Sequence, residues 1–144
     1  MSFQQLEQVL RTVPMVATLG ITVDEGRPGS VVLKLPSAPP LLDAQGRVHT
    51  AAMFAVGELA SAVAVGTHPK LATLAYLHKA SRIAYVSSVR GDVLARAEIP
   101  SELVAAILDG LARDARFVAE VAVTLLDARG NDVANMVSVF TFKR

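Results

Sequence analysis

The sequence has no cysteine and no tryptophan among its 144 residues. Without cysteine there is no disulfide framework, no thiolate metal site and no cysteine nucleophile, and the absence agrees with a reducing compartment. Aromatic residues make up only 5% of the chain, so alanine, valine and leucine must build its interior. Charge is scarce as well. Fourteen lysines and arginines stand against 13 aspartates and glutamates, a net charge of +1, and no basic run stands out. Such a balance supplies no field for holding nucleic acid or an anionic membrane, and neither is an expected partner. Residues 1–13 lack both a basic start and an apolar stretch, so no secretory signal is read and the expected location is cytoplasmic. No repeat, low-complexity segment or linker interrupts the chain.

Hydrophobic residues, in contrast, reach 52%, and the mean hydropathy is +0.44. Much of that surface must be hidden in a core or a subunit interface. The length fits a single domain over residues 1–144. Residues 51–66 form the one membrane-like stretch. At about 16 residues it falls short of the roughly 20 that a spanning helix needs, and it contains Glu58, so it reads as a buried core helix.

Ser2 and Gln5 have the spacing of a capping box, and Phe3, Leu6, Val9, Leu10 and Val13 recur at helical spacing, predicting a short helix stopped by Pro14. Residues 20–24 and 30–35 read as strands joined by a hairpin through Gly26, Pro28 and Gly29. Pro36, Pro39 and Pro40 impose a loop to Arg47, followed by an Ala/Val-rich helix over residues 50–66 that Pro69 closes. Residues 71–77 fit strand or helix. Residues 82–89 read as a strand turning at Arg90-Gly91-Asp92 into another over 93–99. Pro100 and Ser101 open an amphipathic helix with Leu103, Ile107, Leu108 and Leu111 on one face. Two alternating strands close the chain, over residues 117–126 and 132–142, joined by a turn at 127–130. Hairpin turns favour antiparallel pairing, and a sheet with one apolar face needs a cover, which the long helix provides. The class is α+β.

Glu58 is the only formally charged residue between Val48 and Pro69. A helix apolar all round is a buried helix, and burying an ionised carboxylate without partners costs several kcal/mol or more. Ala51, Phe54 and Ser61 share its side of the helix, so Ser61 is placed to hydrogen-bond the carboxylate or a ligand. The helix start at Thr50 and Ala51, with its unpaired amides, lies on the same side. Residue physics alone leaves two roles open for Glu58: a structural carboxylate paired with an arginine across a subunit interface, or an active-site acid. His49 and Ser61 likewise have capping or packing readings beside functional ones.

The pattern Asp43-x-x-Gly46-x-x-His49, with Glu58 nine residues after the histidine, resembles the hotdog-fold thioesterases of the phenylacetyl-CoA thioesterase-like group. These carry Asn-x-x-Gly-x-x-His-Gly-Gly on the loop entering a central helix, and an acidic residue nine positions after the histidine. Ile83-Ala-Tyr85, Arg90-Gly91-Asp92-Val93 and Asp127-Ala-Arg-Gly130 fit the downstream text. Within that superfamily the chain is most similar to a bacterial branch with a short helix before the last two strands.

The resemblance implies a curved antiparallel sheet wrapped around a long central helix, with a short N-terminal helix and a short helix before the last two strands. It also implies a homodimer or dimer of dimers with active sites at the subunit interface, acting on an acyl-CoA or acyl-carrier-protein thioester without cofactor or metal. Glu58 matches the general base or nucleophile, His49 the loop histidine that shapes the site, and Asp43 the asparagine that orients water or nucleophile. Thr50 and Ala51 stand where Gly-Gly supplies the amide that polarises the thioester carbonyl. Two positions depart from the pattern. Ala51 adds a methyl where substrate comes close, and Asp43 only accepts hydrogen bonds when ionised. These departures keep a second function open, an acyl- or CoA-binding hotdog protein without turnover; a bare assembly domain finds no supporting feature. Dehydration is disfavoured, because hotdog dehydratases space His and Glu more widely. Lys79, Arg82 and Arg90 are candidate contacts for the CoA phosphates.

Overall fold

The computed structural model describes residues 2–144. Its elements run α1 (Phe3–Arg11), α2 (Pro14–Leu19), β1 (Thr22–Arg27), β2 (Ser30–Leu35), α3 (Thr50–Thr67), β3 (Ala75–Tyr85), β4 (Val93–Glu98), α4 (Ser101–Arg113), β5 (Arg116–Leu126) and β6 (Asp132–Lys143). All six strands form one antiparallel sheet in the order β1-β2-β4-β5-β6-β3, wrapped around α3.

The capping box forms as its spacing predicts: Ser2 Oγ accepts from Gln5 N while Gln5 Oε1 accepts from Ser2 N. Pro14 does not end that helix. α1 stops at Arg11, and Pro14 occupies the first turn of α2, where its missing N–H costs nothing. The β1–β2 hairpin turns through Pro28 and Gly29, with Arg27 opposite Ser30. Gly29 needs its positive φ of 80° and its bare Cα, since a Cβ would lie 2.6 Å from His68 Cδ2. On the fourth helix the buried face is Val104, Ile107 and Leu111, with Leu108 turned outward.

The expected hairpin between residues 82–89 and 93–99 does not exist. β3 begins earlier, at Ala75, and lies on the far edge beside β6, while β4 sits between β2 and β5. Arg90-Gly91-Asp92 is a loop, but a loop signal does not name the next strand's partner. Asp92 turns to the segment after β2 instead, accepting hydrogen bonds from Ser37 N at 3.0 Å and Ser37 Oγ at 3.3 Å.

Small side chains let α3 sit close on the sheet. Ala52, Val56, Gly57, Ala60 and Ala64 are all buried, and a Cβ on Gly57 would come within 3.0 Å of Met136 Cε. By length and composition α3 is apolar enough to cross a membrane, but 56% of that window is buried inside the fold. It packs mainly over β2, β4 and β5 and only lightly over β6 and β3, so its β3 side is open.

His68 caps the end of α3, where its Nδ1 accepts from Lys70 N at 3.1 Å. Burial, with Lys70's charge adding to it, holds this imidazole below its usual range. The folded chain therefore binds fewer protons here than the unfolded one just below the ordinary value of 6.5. The resulting stability is fully present above that value and declines as pH falls through it. Melting temperature is expected to drop as pH falls below about 6.5, and His68→Gln removes that part of the drop.

Candidate functional site

The loop entering α3 is organised by Asp43. Its Oδ1 accepts from Gln45 N at 2.9 Å and Arg47 N at 3.0 Å, and its Oδ2 accepts from Arg47 Nε at 2.9 Å. These bonds, the one from the Arg47 backbone foremost, hold the carboxyl below the usual carboxylate range. Gly46 takes φ 77° at the tip, and Arg90 Nη1 donates to Gln45 O at 2.8 Å, pinning it. Asp43 and Arg90 thus build the loop together.

His49 is the N-cap of α3. Its main chain is extended, and its Nδ1 accepts from Ala51 N at 2.9 Å, which leaves the proton of the neutral ring on Nε2. The Ala51 amide, an expected donor to substrate, is therefore occupied. The Thr50 amide makes no hydrogen bond to the described residues. Tyr85 on β3 donates to Thr50 O at 3.0 Å, tying the sheet edge to the helix start. A cleft of about 240 Å³ opens there, lined by Asp43, Arg47, Thr50, Met53 and Tyr85.

Glu58 lies two turns further along and is not enclosed as its apolar setting predicts. Its side chain is 45% exposed, on the β3 side of the helix, and its Oε1 is 3.6 Å from His78 Nδ1. The helix is covered on most of its circumference but open at the sheet's edge, and sequence patterning does not reveal which side stays open. Ser61 does not meet the carboxylate. Fully buried, it donates to the main-chain oxygen of Glu58 at 2.8 Å and lies 2.9 Å from Ser138 Oγ.

His78 and Ser81 join this cluster although the sequence gives no hint of them. His78 Nε2 is 2.8 Å from Ser81 Oγ, and Ser81 Oγ is 3.1 Å from Ser138 Oγ. The His78 ring stacks on Phe140 with centroids 4.4 Å apart. Residues three apart on a regular strand point to opposite faces. A β-bulge between His78 and Ala80 brings both His78 and Ser81 to the helix side. No motif marks a bulge in advance.

The three candidate cations do not converge. Lys79 is the exposed extra residue of the bulge, and Arg82 faces the outer side of the sheet, 3.4 Å from Glu120. Of the three, Arg90 alone stands by the cleft loop. Among the described residues no three His, Asp or Glu side chains are grouped to hold a metal.

A family model described as a domain of unknown function, DUF4442, matches residues 4–141. No curated protein matches the sequence. Among solved structures, a Pseudomonas aeruginosa protein of unknown function, called a probable thioesterase, superimposes with a TM-score of 0.89 at 17% identity, covering 99% of this chain and 96% of that one. A mutant thioesterase from the same organism gives 0.76 at 12% identity, with 99% and 94% covered. A mutant of the phenylacetic acid degradation protein PaaI from Thermus thermophilus gives 0.68 at 22% identity, with 91% and 99% covered. Identities this low speak for the fold alone, which is the hotdog fold.

Proposed function

We propose that this chain, which belongs to the DUF4442 family, hydrolyses an acyl-CoA or acyl-carrier-protein thioester as a cytoplasmic homodimer or dimer of dimers, with Glu58 as its general base or nucleophile. The observation that carries the reading is the placement of Glu58: a carboxylate on an otherwise apolar helix, half-open at the one long free edge of the sheet.

An amide donor and a carboxylate must reach the same thioester carbonyl. Within one chain, Thr50 and Glu58 are eight residues apart on a helix, about 12 Å along its axis. One carbonyl cannot touch both. Two-fold pairing of β3 with a second copy sets two α3 helices side by side and antiparallel, so that the start of one approaches the middle of the other. Each site then takes its amide from one copy and its carboxylate from the other. The amide, at the positive end of the helix dipole, polarises the carbonyl. As general base Glu58 takes a proton from the water whose oxygen bonds to the carbonyl carbon, the C–S bond breaks with its electron pair on sulfur, and that proton passes to the sulfur. As nucleophile Glu58 bonds to the carbon itself, the thiolate takes a proton from water, and the resulting hydroxide hydrolyses the mixed anhydride to free Glu58. Arg90 is the cation best placed for the CoA phosphates.

The bond from Ala51 N to His49 favours a second reading, because it removes one expected donor. In that reading the cleft holds an acyl-CoA without hydrolysing it. Thiol release from acetyl-, butyryl-, decanoyl- and phenylacetyl-CoA separates the two. With no cysteine in the chain, a thiol reagent reads product alone. Many thiols per chain with at least one ester are expected; saturable binding with no thiol released over hours establishes the second reading instead.

A further inference from the structure

The cluster behind Glu58 is a continuous polar line. It runs from the Glu58 carboxylate through His78, Ser81, Ser138 and Ser61 back to the Glu58 main-chain oxygen. Ser61 and Ser138 are fully buried, yet no buried side-chain polar atom among the described residues lacks a partner. A line of hydroxyls between two apolar layers costs free energy unless every member is satisfied.

Ser61 has one proton and two acceptors within reach. The main-chain oxygen at 2.8 Å and Ser138 Oγ at 2.9 Å are both placed to accept it. Ser138 Oγ lies 3.1 Å from Ser81 Oγ, and Ser81 Oγ lies 2.8 Å from His78 Nε2. A neutral ring with its proton on Nε2 donates to Ser81 and presents a bare Nδ1 to Glu58. Nδ1 lies 3.6 Å from Oε1, beyond hydrogen-bond distance. A proton arriving on Glu58 supplies what is missing between them. The Phe140 stack holds the ring in this orientation.

We propose that His78 is a positioning residue of the reaction, taking up and returning the proton that Glu58 removes from water while the serine line fixes its ring. The inference rests on the reading of Glu58 as the reacting carboxylate, and it selects the general-base form of that reading. The water oxygen bonds to the carbonyl carbon, and its proton passes to Glu58 and from Oε1 to Nδ1. The C–S bond breaks with its electron pair on sulfur. The proton then returns through Glu58 to the sulfur, leaving a carboxylic acid, a free thiol and the neutral ring.

The test compares wild type, His78→Gln, His78→Asn, His78→Ala, Ser81→Ala and Glu58→Gln on the most rapidly cleaved of the four CoA esters, each variant first checked by circular dichroism and melting. Neither amide can carry the proton, so His78→Gln and His78→Asn are expected to lose kcat by about a hundredfold while KM stays within about twofold. Added imidazole is expected to restore His78→Ala by about tenfold or more, a recovery that a purely structural role does not produce. Ser81→Ala should lose less, because the ring keeps its stack. A slow Glu58→Gln beside a full-rate His78→Gln and His78→Asn overturns the role of His78 and leaves Glu58 standing. A full-rate Glu58→Gln overturns the Glu58 reading and this inference with it. Acyl-Ser81 found by mass spectrometry during turnover also overturns it, because Ser81 would then be the nucleophile and His78 its base.

Discussion

Substituting lysine for both Ala80 and Ala84 is expected to give a folded 15.2 kDa monomer that hydrolyses thioesters about a hundredfold more slowly than wild type. The prediction follows from the two edges of the sheet. β1, at one end, has six residues, carries a bulge after Val23 and is packed by α1. β3, at the other, has eleven residues and a neighbour on one side only. Along or just past it Tyr76, Leu77, Tyr85 and Val86 are exposed, Leu77 by 54% and Val86 by 62%. A long edge carrying exposed apolar residues is a template for another strand. Ala80 and Ala84 are exposed and neighbour the inward-facing Ser81 and Ile83, so they lie on the outer side, and lysine there leaves the monomer's core untouched. With Lys79 and Arg82 they give each copy four cations on this strand, and like charges facing one another across a strand pair destabilise it. A monomer retains Glu58 but loses the partner's amide. Light scattering reads the mass and thiol release the rate; a monomer at full rate would show that one chain holds a complete site.

Glu58→Gln is expected to lower turnover by about a thousandfold while barely moving the melting temperature. Activity and stability separate here because of where the side chain lies. With its carboxylate 45% exposed and 3.6 Å from His78, Glu58 contributes at most about 1 kcal/mol to folding. Glutamine fills the same space and forms the same helix, but it neither accepts water's proton nor attacks a carbonyl. Had Glu58 been a structural partner alone, its loss would appear in the melt and not in the rate.

The fold was legible because its signals are local and repeated. The capping box at Ser2, the closing of α3 by Pro69 and the alternation along β5 and β6 each report the conformation of their own few residues. Sequence and structure part where a conformation depends on distant residues. Pro14 is compatible with a helix's end or its start, and only the packing of α2 decides between them. The position of β3 could not be read from its turn residues, since a crossing of the sheet and a tight hairpin use the same Arg90-Gly91-Asp92 composition.

The candidate site divides along the same line. Glu58 stood out because one charge in an apolar helix is visible in one dimension, and Asp43, Gly46 and His49 because their spacing is fixed within one loop. His78 and Ser81 were invisible, since their meeting with Glu58 requires a bulge in β3 and a register that sets Ser81 opposite Ser138. The open side of α3 was hidden for a related reason: helical patterning shows how much of a helix is apolar, but the sheet decides which part stays uncovered.

The role of Glu58 is tested most directly by one comparison: thiol released from a single CoA ester by wild type and by Glu58→Gln, at equal protein concentration and with ester well above the wild-type KM. Many thiols per chain are expected from wild type, and about a thousandth of that rate from a variant with an unchanged melt. Equal rates from the two proteins would contradict that role.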